Sequence, residues 1–134
     1  MLGLMHDVSA FHDATGTPNK WYEGTKIPGP DRVQLRAALI LEECLETIDA
    51  IKEGNLVAIA DGLADSIYVL VGTALEYGIP LHKVWDAVQE ANMAKVDPTT
   101  GKVLRREDGK VLKPEGWTPP DIAGILRAYG AELD

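Results

Sequence analysis

Residues Glu42–Asp65 read EECLETIDAIKEGNLVAIADGLAD. Glu42, Glu43, Glu46, Asp61 and Asp65 interrupt an otherwise apolar stretch, and Lys52 is the one cation placed to neutralise any of them. At its centre, Gly54 can close one helix in the left-handed conformation and Asn55 can cap the next. The turn predicts an antiparallel helical hairpin. Counting outward from Gly54, Glu46 lies eight residues before and Asp61 seven after, while Glu43 and Asp65 both lie at eleven. The acidic pairs thus stand at matching heights. Within each helix, the i,i+3 spacing of Glu43/Glu46 and the i,i+4 spacing of Asp61/Asp65 put each pair on one side. Four or five carboxylates converge across one groove.

Like charges this close cannot all stay ionised without compensation. Burying them unpaired costs several kcal/mol each, on the order of what isolated buried ions cost generally. Hard divalent cations answer both problems, and an all-oxygen donor set favours Mg²⁺ or Mn²⁺ over zinc. His6, His12 and His82 are scattered and offer no ligand spacing. The competing reading is a solvated acidic face with capped or salt-bridged aspartates. It fits poorly with a second helix, Leu56 to about Tyr77, that has so few polar residues.

The 134 residues suit a single domain spanning 1–134, and a net charge of −8 disfavours nucleic-acid polymers as partners. The lone Cys44 fits a reducing compartment and lies on an apolar stripe, so it reads as core. Met1–Met5 is too short for a signal peptide, and a cytoplasmic location is expected. Leu56–Leu75 is apolar enough to suggest a membrane span, but its two aspartates would each cost roughly 2.5–3.5 kcal/mol at a bilayer centre. No membrane partner is expected.

Outward from the hairpin, a short helix is expected over Asp7–Ala14, with Leu4, Val8 and Phe11 on one face and Gly16 ending it. A long loop, Thr15–Pro30, carries Trp21 and Tyr22. Asp31, with Gln34 three residues on, reads as the N-cap of a helix reaching about Glu53. Its main stripe is Ala37, Leu41, Cys44, Leu45, Ile48 and Ile51. Leu39 and Ile40 lie off that stripe, so more than one face should meet protein. A third helix is expected over Leu81–Lys95, with Trp85 as core or interface. The near-repeat GKVL around Asp108-Gly109 suggests a small β-hairpin or ordered loop within 97–120 that holds 5 of the 13 basic residues. A last helix should start at Thr118-Pro119-Pro120-Asp121. Helices apolar on several faces predict an all-α bundle completed by oligomerisation.

These residues resemble a known family. E-E-x-x-E, a short turn, D-G-L-A-D-S-I-Y-V and then A-N-M-A-K are similar to the all-α nucleoside triphosphate pyrophosphohydrolases: MazG-like enzymes, dimeric dUTPases and phosphoribosyl-ATP pyrophosphohydrolase. The likeness covers about Phe11–Lys95 and is nearest the small single-domain branch with an F-H-x-x-x-G element, here Phe11, His12 and Gly16. It implies metal-dependent conversion of a (d)NTP to (d)NMP and pyrophosphate, with two or three Mg²⁺ or Mn²⁺ per site. Glu43, Glu46 and Asp65 match the motif acids. Gly62 stands where the third motif Glu belongs, and Asp61 beside it is the expected replacement. Glu42 would hold an additional metal or orient the water as a base, unless it is a plain exposed acid. Asn92 and Lys95 match nucleotide-contacting positions, although Asn92 could simply cap a helix end. Lys113 and Arg105, from the basic segment, would face the phosphates unless that segment is only a solvated hairpin. Trp21 would stack on the base or pin the loop, and His12 would line the base pocket or stand exposed. The family implies a dimer or tetramer. The compact length and the DGLAD motif favour dGTP or GTP, as in the viral MazZ branch, which would place the protein in a host cytoplasm. The alternatives are dUTP, or a non-catalytic oligomer that binds divalent cations or nucleotides.

Overall fold

The computed structural model describes residues 1–134. It is all-α, as expected: α1 (Leu2–Thr15), α2 (Pro30–Glu53), α3 (Leu56–Tyr77), α4 (Leu81–Met93) and α5 (Ile122–Ala128). The hairpin of α2 and α3 forms the spine. Gly54 closes α2 at φ 70°, and the Asn55 side chain accepts a hydrogen bond from the Ala58 N–H to open α3. The start of α2 differs from expectation. Gly29 is the N-cap and Pro30 occupies the first turn, where a missing N–H costs nothing. Asp31 becomes a first-turn acid that favours the helix dipole instead of capping it.

The two helices approach closely because their facing residues are small. Thr47 and Ala50 of α2 are buried against a face of α3 that includes Gly62 and Ser66, and the Thr47 and Ser66 hydroxyls lie 3.0 Å apart. A Cβ on Gly62 would stand 2.5 Å from Thr47 Oγ1 and 3.2 Å from Thr47 Cα. No side chain fits there without the two helices moving apart.

The apolar stripe of α2 is therefore not its buried face. Leu41, Leu45, Ile48 and Ile51 are exposed, and α3 likewise exposes Leu63, Ile67 and Leu70. The core of the chain lies elsewhere, where Met5 and Val8 of α1 meet Val71 and Leu75 of α3. α1 begins at Leu2, earlier than expected, and turns Met5, Val8 and His12 inward. Leu4 and Phe11 stay exposed, and Phe11 meets the edge of the Tyr68 ring at 5.7 Å. α3 is long and apolar enough to cross a membrane by length and composition. It lies along α2 with Asp61 and Asp65 on its exposed side.

α4 packs against α1 and α5. The 97–120 segment is an ordered loop in which a single antiparallel bridge, Arg105 with Val111, spans the Asp108-Gly109 turn. Two bonded positions are too few for a ladder. The Trp117 indole N–H, donating to Ala91 O at 2.7 Å, fastens the segment to α4. Asp121 caps α5 by accepting from the Gly124 N–H.

Gly62→Ala is expected to destabilise the chain by about 1–3 kcal/mol, the usual range for overpacking, although alanine is the better helix former. Adding Thr47→Ala should restore part of the loss in urea titrations. An unchanged midpoint for Gly62→Ala would show that the helices do not approach this closely.

Candidate functional site

The hairpin register decides which acids meet. Glu42, Glu46, Asp61 and Asp65 are exposed along the groove, whereas Glu43 is half-buried between them. Glu43 Oε2 is buried with no hydrogen-bond partner. Partial desolvation pushes the Glu43 carboxyl above the usual carboxylate range, and the charges of Glu46, Asp65, Glu42 and Asp61 push it the same way. All five sequence-identified acids thus act on one locus. They line the groove without closing into a cage: no three His, Cys, Asp or Glu side chains stand together at ion-ligating separation. The donor set is still suited to a hard cation, because it consists of carboxylate oxygens around an unpartnered buried one. Thr47 Oγ1 donates to Glu43 O at 2.7 Å, which ties the helix–helix contact to the backbone that carries the central acid.

One helical turn before Glu43 lies Leu39, and just beyond Asp65 lies Tyr68. Both line a cavity of about 310 Å³ that also takes in Phe11, His12, Leu35 and Arg36. An aromatic and aliphatic cavity thus lies next to the acidic groove. His12 is buried, not exposed, and its Nδ1 donates to Pro18 O at 3.0 Å. Gly72 leaves room for it, since a Cβ there would meet both His12 Nε2 and Arg36 Nη2 inside 3 Å.

The sequence reading missed the group behind this cavity. Glu76 is buried and accepts from Arg32 Nε at 2.7 Å, Arg32 Nη2 at 2.9 Å and Arg36 Nη1 at 3.0 Å. Arg36 also donates to Thr73 Oγ1 and Val69 O. The signal was available, because Arg32 and Glu76 each lie 22 residues from Gly54, as Glu43 and Asp65 each lie eleven. Breaking a buried pair of this kind costs about 3–5 kcal/mol.

The remaining expected site residues fall into three other places. Lys95 Nζ donates to Asn92 Oδ1 at 3.1 Å, and Lys95 and Lys113 lie over the Trp117 ring at 5.2 and 4.9 Å. This cationic cluster belongs to the end of α4 and the C-terminal segment. Arg105 reaches Gly109 O within its own turn. Trp21 packs on the Met5–Leu75 core, with Tyr22 stacked on it at 4.9 Å and His6 tilted against it at the same distance. Within the chain, Trp21 pins the loop.

An all-α bundle built on a short-turn hairpin whose two helices face acids at one another is the architecture of the MazG-like nucleoside triphosphate pyrophosphohydrolases. The profile of the phosphoribosyl-ATP pyrophosphohydrolase family matches residues 9–92, well over half of the chain, and the chain belongs to that family. It is also similar to "Uncharacterized protein L479" of Acanthamoeba polyphaga mimivirus, at 46% identity over 55 residues. That match covers 40% of this chain and 22% of the viral protein, so only about a fifth of the relative's length is represented.

Because the folded state raises the Glu43 pKa, the unfolded chain releases that proton first as pH rises. Ionised Glu43 therefore weakens the metal-free fold above its folded-state pKa. In chelator at neutral pH, Glu43→Gln is expected to melt above the parent. The gap should close as pH falls below the ordinary glutamate range. A gap that stays constant with pH would mean that charge at Glu43 is not its cause.

Proposed function

We propose that the chain hydrolyses a nucleoside triphosphate to the monophosphate and pyrophosphate. Glu43, Glu46, Asp61 and Asp65 would hold Mg²⁺ or Mn²⁺, with Glu42 contributing a further ligand or orienting the attacking water. The single observation that carries this reading is the unpartnered, half-buried Glu43 set among four other acids in a chain of a pyrophosphohydrolase family. Bound divalent cations would offset phosphate charge and lower the pKa of a coordinated water. The protein's own part is positional. The groove acids would face the phosphates, and the cavity of Phe11, Leu35, Leu39 and Tyr68 would receive the base. His12 and Arg36, both buried, line the cavity with Thr17 and Arg32 and would offer their unused polar atoms to the base edge. We favour dGTP or GTP, with dUTP as the alternative substrate.

A second copy of the chain would complete the site. The open stripe of Leu41, Leu45 and Ile48 needs a partner, and a bundle assembled from two hairpins supplies one. Lys95 and Lys113, with Asn92 holding Lys95, would form a cationic group for phosphates at and beyond the end of α4. A nucleotide-processing role is consistent with a cytoplasmic location, in a host cell if the chain is viral.

Pyrophosphate release should be assayed across the common dNTPs and NTPs, with Mg²⁺ and with chelator. Release is expected only with metal, and fastest with dGTP or GTP. Glu43→Ala should lower it by more than the roughly 10–100-fold that losing an outer-shell partner costs, with helical content unchanged. The same preparation should sediment as a dimer or larger. Near-normal turnover by Glu43→Ala would refute the site. Absence of hydrolysis with any nucleotide would favour a non-catalytic cation-binding oligomer.

A further inference from the structure

The loop between α1 and α2 is fixed to the far end of α3. Lys20 N–H donates to Leu75 O at 2.8 Å, Lys26 N–H to Tyr77 O at 2.9 Å and Thr25 Oγ1 to Gly78 O at 2.7 Å. Gly78 is bare at this junction, where a Cβ would run into Gly24 O. Between the loop and the first turn of α2 lies a cavity of about 520 Å³, within the size range of small-molecule sites. Lys20, Lys26 and Arg32 line it, together with Glu23 and Glu76.

Charge does not balance there. Glu76 is already shared by Arg32 and Arg36. Lys20 and Lys26 make no ion pair; the chain's salt bridges are those two and Arg106–Asp108. Of the groups that line the cavity, three cations (Lys20, Lys26 and Arg32) stand against two carboxylates (Glu23 and Glu76), a surplus of one positive charge on a chain of net −8, and Glu76 is further neutralised by Arg36 behind it. The backbone bonds hold both lysines' attachment points at the wall. Arg32 adds a planar fork on the same wall, of the kind that binds phosphate oxygens in pairs.

We propose that this cavity binds a small phosphoryl anion, distinct from any substrate in the acidic groove. Free phosphate, pyrophosphate and a phosphomonoester share the required chemistry. The volume accommodates the larger two. Lys20, Lys26 and the outer edge of Arg32 supply the donors, and Glu76 keeps Arg32 in place from behind. The proposal does not depend on catalysis, because it concerns the chain without metal.

The test is calorimetric titration of the full chain in chelator with inorganic phosphate, pyrophosphate and a nucleoside monophosphate. Saturable binding of at least one is expected, weakening as salt is added. The arm that binds most tightly identifies the source. Glu43→Gln/Asp65→Asn should leave binding unchanged. Lys20→Gln/Lys26→Gln should weaken it by at least about tenfold, as loss of two charge-assisted contacts does. Both lysines are exposed, so the variant should keep its helical content. No saturable binding of any of the three at millimolar concentration would overturn the proposal. So would binding that survives the lysine substitutions, which for the monophosphate would place it in the aromatic cavity.

Discussion

Thr47 occupies the space that any side chain on Gly62 would need, and this contact sets how closely α2 and α3 lie and in what register. The register has two consequences at two heights of the hairpin. Near the turn, Glu43 faces Asp65 among three further acids. Higher up, Arg32 faces Glu76. One end of the hairpin is held together by opposite charges and the other is strained by like charges. The aromatic cavity lies between them. A shift of one residue in either helix would rotate both sets out of the groove by about 100°.

The energetic logic follows from that asymmetry. Like charge from the four surrounding acids bears on Glu43, and its unpartnered Oε2 adds a desolvation cost. The small-residue contact, the Arg32–Arg36–Glu76 network and the Met5–Val8–Val71–Leu75 core must offset it. The stripe of Leu41, Leu45 and Ile48 is exposed and contributes little to that balance within the chain. The groove is then a place where local stability is lower than elsewhere in the hairpin, a pattern common at functional sites.

Local chemistry made much of this legible in the sequence. Gly54 and Asn55 announce the turn, and counting from it places the acids. Continued to 22 residues on each side, the same count reaches Arg32 and Glu76, neither of which stands out within its own helix. What the pattern could not show was which face of α2 is buried. Periodicity points to Leu41, Leu45 and Ile48, yet the chain buries Thr47 and Ala50, because small residues permit the closer approach to α3. The choice between stripes is tertiary, and the family profile and helical bundle agree with the fold class regardless of it. Trp21 illustrates the same limit: a loop tryptophan reads equally as a base platform or an anchor, and only its packing against the core cluster and Tyr22 distinguishes them within the chain.

The central claim is that the acids of the hairpin form a divalent-cation site, and a thermal melt tests it most directly. The parent chain and an Asp61→Asn/Asp65→Asn variant should be melted at neutral pH in chelator and again with Mn²⁺ or Mg²⁺. A cation that binds only the folded state at a hundredfold excess over its dissociation constant stabilises it by about 2.7 kcal/mol. The account expects a rise of that order in the parent and little in the variant. A parent melting temperature indifferent to metal, or an equal rise in both proteins, would contradict it.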